Sequence, residues 1–286
     1  MINIIRKRLY STSWKLLPNC PSPEYDTGCT HCQPTSFPNG LTINFERELN
    51  NTKVAPSKHI LVLTHGYSNF DNMPSGITRI HGGLAHFINQ FEPEYRDKDH
   101  SIQVSNIILS NQKETLAKFN LTKHEDQLVY IYPDNKIVKF HTKHVRDFVH
   151  KYLKKNQHET NLSSEGNSVT ERFTEYKMEK DLALICGHTL TDARCGILGP
   201  VIQDEFLKVL EKQNLLTKVD VGLVSHIGGH AYAGNVIYFP KECDSPKDMV
   251  WYGRVFPKDV QGIVHETIMN KNILQNLLRG DPQLYQ

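Results

Sequence analysis

The first half of the chain alternates between short apolar runs and amphipathic segments. The apolar runs predict strands at residues 59–64, 104–109, 128–132 and 137–140. In residues 77–91 and 142–154 the apolar positions recur every three to four residues, which predicts two helices. We therefore expect this half to follow the order β-α-β-β-β-α.

The second half repeats that order. Its apolar runs predict strands at residues 182–185, 219–224, 236–239 and 249–255. Helices are predicted at residues 200–215 and from Pro257 onward, each with a proline near its first turn. The repetition predicts an α/β fold of two related modules, each a small sheet covered by helices. The order is also that of a thioredoxin-like fold, so we expect two thioredoxin-like modules.

A polar stretch marks the boundary between these modules. Residues 156–180 are rich in Asn, Ser, Glu and Thr and include Gly166, a composition typical of a linker. The sequence thus predicts a first module at residues 20–155, a linker at 156–180 and a second module at 181–286.

Residues 1–19 differ from the modules because they contain basic and hydroxyl residues but no acidic residue. This composition is typical of a mitochondrial targeting segment, and the sequence around Arg8 and Tyr10 resembles a processing site with cleavage after Tyr10. We expect a mitochondrial protein, located in the matrix rather than the intermembrane space. A basic N-terminus without a targeting role is the alternative.

Composition excludes several classes of function. The 286 residues are 38% hydrophobic and 22% charged, with a formal net charge of +2, as expected of a folded globular protein. No basic run with interleaved aromatic residues appears, so no nucleic-acid partner is expected. The apolar runs are far shorter than the roughly 18 residues that a membrane span requires. No nucleotide-binding glycine loop, acid–base pair or nucleophile motif supports turnover of a small substrate, so whether the chain is an enzyme stays open.

The strongest chemical signal follows the first two predicted strands of the second module. The residues concerned are Cys186, Cys195, His226 and His230. If the two strands are parallel neighbours, both following segments leave the same edge of the sheet and the four side chains converge. Glycines beside them allow the tight turns that this convergence requires.

Two thiolates and two imidazoles suit either a tetrahedral zinc ion or a 2Fe-2S cluster with two histidine ligands. Zinc sites usually hold cysteines about two to four residues apart. Eight residues separate Cys186 from Cys195, and this wide loop favours the two-iron cluster, with zinc as the alternative. A metalloprotease is disfavoured because Ile227 stands where that motif requires Glu.

Further motifs extend this pattern into a family resemblance. The histidines lie in Ser225-His226-Ile227-Gly228-Gly229-His230 and are followed by Gly234-Asn235 and Trp251-Tyr252-Gly253-Arg254-Val255. The chain resembles the sucrase/ferredoxin-like family of thioredoxin-like ferredoxins, specifically over residues 181–268 and more loosely over 20–155, and is similar to its fungal mitochondrial branch. The resemblance implies a degenerate thioredoxin-like domain followed by a thioredoxin-like ferredoxin domain. It also implies that a 2Fe-2S cluster is bound by Cys186, Cys195, His226 and His230.

Cys29 and Cys32 form a second motif, a CxxC pair ahead of the first module's strands. This spacing allows a dithiol/disulfide couple, although a thioredoxin-type pair would follow the first strand. A simple structural pair is the alternative. No role is predicted for Cys20 or Cys243.

Three functions follow from these observations. The first is a mitochondrial 2Fe-2S protein that acts in electron transfer or thiol/redox homeostasis with a protein redox partner, which the sequence does not identify. The second is a zinc-stabilised structural or interaction protein. The third is a thiol oxidoreductase that uses Cys29 and Cys32.

Overall fold

The computed structural model describes residues 14–34, 36–54, 56–155 and 172–285. The strands are β1 (Lys15–Leu17), β2 (Lys58–Leu63), β3 (Ile102–Leu109), β4 (Asp126–Tyr132), β5 (Lys136–His141), β6 (Phe173–Lys177), β7 (Asp181–Cys186), β8 (Val219–Val224), β9 (Val236–Phe239), β10 (Val250–Tyr252) and β11 (Asn272–Leu274). The α-helices are α1 (Leu84–Gln90), α2 (Glu92–Tyr95), α3 (Gln112–Lys118), α4 (Val145–Phe148), α5 (Ala193–Lys212) and α6 (Pro257–Gly262). Among these residues no helix is both long and apolar enough to cross a membrane.

Nine strands form one mixed sheet in the order β10-β9-β7-β8-β3-β2-β4-β5-β6. The predicted α/β class is confirmed, and each strand predicted from an apolar run is present. Both halves of the sheet share one arrangement. In each half the first two strands are parallel, the third lies antiparallel beside the first, and the fourth lies antiparallel beside the third.

An antiparallel pairing of β3 with β8 joins the two halves into one continuous sheet. At this seam Gly222 lies opposite Leu109. A Cβ atom on Gly222 would lie 2.7 Å from the backbone oxygen of Ile108, closer than a Cβ normally approaches an oxygen atom. The absence of a side chain at this position therefore permits the two halves to approach closely.

Both faces of the sheet are covered, as the strand β2 illustrates. Ile60 and Val62 point into a core that includes α1 and α4. The alternating residues Leu61 and Leu63 point to the opposite face, into a larger core that continues through the second half. A strand buried on both faces explains why residues 59–64 read as a continuous apolar run.

The helices differ from their predicted bounds at three places. The helix predicted at 142–154 consists of a 3-10 turn, α4 and a π-helical turn at Val149–Leu153. The segment 77–91 forms only a short turn and α1, because Gly82 adopts a φ of +82° and interrupts the helix. In the second half, α5 begins at Ala193 instead of residue 200, because Asp192 caps it and accepts a hydrogen bond from the Arg194 amide. Pro200 lies inside this helix instead of at its start.

The polar segment at 156–180 is described from residue 172 onward. Within it β6 pairs with β5 and forms one edge of the sheet. Phe173 anchors the strand, because its side chain is buried and its ring centroid lies 5.7 Å from that of Phe140. Residues 156–171 lie outside the described residues.

The N-terminal segment packs against the second half. β1 pairs in parallel with β11, and the buried indole of Trp14 donates a 2.9 Å hydrogen bond to Asp248. The predicted targeting segment covers residues 1–19, of which residues 1–13, including the predicted cleavage site, lie outside the described residues.

The close approach of β3 and β8 at Gly222 should contribute to stability. Substitution Gly222→Ala should lower the free energy of unfolding by about 1–3 kcal/mol, the usual cost of overpacking, because its methyl group meets backbone rather than a movable side chain. Urea unfolding measures this change. Gly76→Ala is the control, because its Cβ would meet only the flexible Arg79 side chain at 3.2 Å. Equal losses in the two variants would contradict the role of the seam.

Candidate metal centre

The parallel pairing of β7 with β8 brings two candidate ligands, Cys186 and His226, to one edge of the sheet. Cys186 is the last residue of β7 and lies opposite Val224, the last residue of β8. His226 follows two residues later. The convergence expected from the sequence thus results from the register of two neighbouring strands.

Two glycines of α5 bring Cys195 to the same place. Cys195 is the third residue of the helix and is fully buried. A Cβ on Gly199 would lie 2.7 Å from the Cys186 backbone oxygen, and one on Gly196 would lie 2.3 Å from the Thr189 hydroxyl. The helix can therefore pack directly against the chain that leaves β7, with its first turn beside Cys186.

Cys186, Cys195 and His226 form a group that fits a metal ion. One ligand atom from each lies within 4.8 Å of the others. Both cysteines are buried, whereas His226 is half-buried. Among the described residues, no other group of three or more potential metal ligands lies this close together.

The two thiols differ in their affinity for a proton. A hydrogen bond from Cys195 and a further interaction with His226 lower the pKa of Cys186 well below its usual value, although burial opposes the shift. The same contact raises the pKa of Cys195, which is buried beside the Cys186 sulfur. The site therefore stabilises one thiolate, the form in which cysteine binds metals.

His226 has a free ring nitrogen that faces the protein interior. Its Nδ1 is buried and has no hydrogen-bond partner among the described residues. A buried polar atom without a partner costs about 1–3 kcal/mol, so a bound metal at this position would relieve a real penalty. The donor set therefore fits either zinc or an iron–sulfur cluster.

His188 lies between the two cysteines in the sequence, and both of its ring nitrogens already contact other groups. Its Nε2 lies 2.9 Å from the Met73 backbone oxygen, and its Nδ1 accepts a 3.2 Å hydrogen bond from the His226 amide. These two contacts fix the tautomer with the proton on Nε2. His188 thus supports the backbone of His226 and leaves no ring nitrogen for a metal.

His230 lies beside the group of three, on its exposed side. Its ring stacks on the His226 ring with centroids 5.6 Å apart. Gly228 and Gly229 connect the two histidines with φ values of +77° and +73°, which residues with side chains rarely adopt. The structure therefore places three of the four predicted ligands together and the fourth adjacent to them.

A buried arginine lies behind this histidine loop. Arg279 is 1% exposed, and no carboxylate pairs with it in the described part of the chain. Its guanidinium donates to the Gly228 backbone oxygen at 3.2 Å, to the Asn235 side chain at 2.8 Å and to the Thr52 backbone oxygen at 2.7 Å. Burial lowers the pKa of Arg279 to about 10, and the nearby Cys186 opposes that shift. At neutral pH the arginine therefore supplies a positive charge near the thiols.

The sequence model of the sucrase/ferredoxin-like family matches residues 49–280. This chain belongs to the sucrase/ferredoxin-like family. The matched range includes all four predicted ligands and Arg279, whereas Cys29 and Cys32 precede it.

Similar proteins from three fungi carry the name "Altered inheritance of mitochondria protein 32". The chain is 39% identical to the Meyerozyma guilliermondii protein over 275 residues, which cover 93% of this chain and 95% of the relative. It is 39% identical to the Debaryomyces hansenii protein over 292 residues, covering 98% and 100%. It is 40% identical to the Clavispora lusitaniae protein over 285 residues, covering 96% and 98%. These matches confirm the resemblance seen in the sequence.

In this member of the sucrase/ferredoxin-like family, Cys29 and Cys32 are joined in a disulfide with a Cα–Cα distance of 4.8 Å. Cys32 is exposed and Cys29 is half-buried. The neighbouring Thr30 is buried and donates a 2.8 Å hydrogen bond to Glu205 of α5. The disulfide loop therefore packs on the same helix that carries Cys195.

The remaining two cysteines are free and have no contact with the candidate site. Burial raises the pKa of Cys20 and of Cys243 to about 12. Both thiols therefore stay protonated and unreactive at neutral pH.

Sequence reasoning missed Arg279. The residue stands alone between apolar residues and Gly280, so no local pattern distinguishes it from a surface arginine. Its contacts involve Thr52 and Asn235, which lie 227 and 44 residues away along the chain. The one indirect sign in the sequence is Gly229. A Cβ at that position would lie 2.4 Å from the Arg279 guanidinium, so the arginine requires a residue without a side chain there.

We expect Arg279 to stabilise the histidine loop. Substitution Arg279→Met should lower the free energy of unfolding by at least about 2 kcal/mol, because it leaves several buried oxygen atoms without donors. Arg254→Met is the matched control. That guanidinium also donates to backbone oxygens, those of Asn44 and Arg47, but at the exposed surface. Urea unfolding compares the two variants, and a loss for Arg254→Met as large as that for Arg279→Met would contradict this role.

Proposed function

We propose that this chain is an iron–sulfur protein in which Cys186, Cys195, His226 and His230 hold one 2Fe-2S cluster. The observation that carries the proposal is the meeting of two buried cysteines with His226 at one edge of the sheet. The unpartnered Nδ1 of His226 and the adjacent His230 ring supply the imidazole side of the donor set. The repeated strand arrangement supports two thioredoxin-like modules, at 20–155 and 181–286, with the cluster in the second.

The charges around the site favour acceptance of an electron. A bound 2Fe-2S cluster supplies a one-electron couple, and two histidine ligands place its potential at about −150 to +300 mV instead of about −400 mV. Two thiolates would balance the +2 charge of an oxidised core. The Arg279 guanidinium is buried, has no carboxylate partner among the described residues and would stabilise the additional negative charge of a reduced centre.

The two sides of the site differ in access to solvent. The cysteines are buried, His226 is half-buried and His230 is exposed. An electron that enters or leaves through the histidines therefore crosses less protein than one that passes through the cysteines. We place contact with a protein redox partner on the His230 side.

Mitochondrial location is part of the proposal. Its support is the name of the relatives, which refers to inheritance of mitochondria, together with the basic composition of residues 1–19. We propose the matrix as the compartment. Electron transfer or thiol/redox homeostasis is the proposed role there.

Metal analysis of the anaerobically purified protein tests the cluster. We expect a coloured protein that contains equal amounts of iron and acid-labile sulfide and loses both in Cys186→Ser and in Cys195→Ser. Cys243→Ser is the matched control, because that thiol is also buried but bonds to the Ser245 backbone oxygen at 3.2 Å. It should keep the iron. A colourless protein that contains zinc in place of iron would support the zinc alternative and contradict the proposal.

The disulfide supports a second candidate, a thiol oxidoreductase that uses Cys29 and Cys32. The observation that favours it is the exposure of Cys32 within a formed disulfide. Gel-shift alkylation in glutathione buffers measures whether this pair exchanges. Retention of full redox activity in Cys29→Ser would contradict this second candidate and leave the cluster proposal intact.

A further inference from the structure

A cavity in the first half occupies the place that corresponds to the metal centre. It lies where the chain leaves β2, as the metal centre lies where the chain leaves β7. Its volume is about 380 Å³. The polar residues that line it include His65, Tyr67, His81, Asn106, His124 and Gln127.

His65 presents an unused nitrogen in this cavity. Its Nε2 is buried and has no hydrogen-bond partner among the described residues. The backbone and the carboxylate of Asp126 also act on this ring, and both raise its pKa against the effect of burial. In metal-binding histidines one ring nitrogen commonly contacts a backbone carbonyl while the other binds the metal.

The His124 ring lies next to the His65 ring. The two rings have centroids 5.6 Å apart, the same separation as between His226 and His230. The Nε2 atom of His124 would lie 3.7 Å from a Cβ placed on Gly66, so it faces the chain directly after His65. Two imidazoles at this separation can share one ion.

The surroundings favour the neutral form of His65, in which the lone pair is available. Burial and the charge of a protonated His124 lower the pKa of His65. Two adjacent imidazoles repel each other when both are protonated, whereas a metal ion between them binds both lone pairs. Neutral imidazole is the commonest metal ligand in proteins and suits zinc, copper and nickel.

We propose that His65 and His124 bind a divalent transition-metal ion such as Zn²⁺ in the first-half cavity. Neither a cysteine nor a carboxylate is among the described residues that line it, so the site differs chemically from the thiolate centre. Water or another small ligand completes the coordination, for which the cavity has room. This site does not depend on the proposed cluster.

Zinc titration of the full-length holoprotein tests this site. We expect the wild type to retain one more zinc ion after gel filtration than His65→Gln or His124→Gln. His86→Gln is the matched control, because His86 lies next to His81 but its ring nitrogens already contact the Thr78 backbone oxygen at 2.7 Å and the Gln90 side chain at 3.2 Å. It should bind as much zinc as the wild type.

Nitrogen-15 NMR of the histidine rings gives a second readout that needs no variant. The ring nitrogens of His65 and His124 should shift together on addition of one equivalent of ZnCl₂, while the absorption spectrum of the thiolate centre stays unchanged. Equal zinc uptake by wild type and His65→Gln would overturn the proposal. So would a wild-type spectrum in which neither ring shifts, or a loss of zinc uptake in His86→Gln.

Discussion

The parallel pairing of β7 with β8 is the constraint on which the candidate site depends. Because Cys186 lies opposite Val224 in that register, a thiol and the following His226 reach the same edge of the sheet. A shift by one residue would turn every side chain of β7 to the opposite face and separate the ligands. The antiparallel pairing of β8 with β3 holds this register from the other side, so the whole sheet supports the site.

Around this edge, contacts from distant parts of the chain fix the ligands in place. Two glycines of α5 let Cys195 approach Cys186, and His188 holds the His226 backbone. Arg279 joins the loop between the histidines to Thr52, which precedes the strand β2. The candidate metal centre is therefore a product of the whole fold rather than of one local motif, unlike a zinc knuckle, whose cysteines meet within a single turn.

Sequence reasoning succeeded where local pattern determines structure. Apolar runs such as 59–64 predicted the strands, and the Cys and His positions after two of them predicted that Cys186, Cys195 and His226 meet. It failed at the start of α5 and where contacts join distant parts of the chain. Pro200 indicated a helix start, but the cap at Asp192 placed the start seven residues earlier and brought Cys195 into the helix. No periodicity could predict that β3 pairs with β8, or that Arg279 lies behind Gly229.

In the proposed centre, both His226 and His230 join the two cysteines. Pulsed electron paramagnetic resonance of the reduced protein tests this directly, because directly bound nitrogens couple strongly to the electron spin. We expect two strongly coupled histidine nitrogens in the wild type and one in His230→Ala. A wild-type spectrum with no strongly coupled nitrogen, or one that His230→Ala leaves unchanged, would contradict this ligand set.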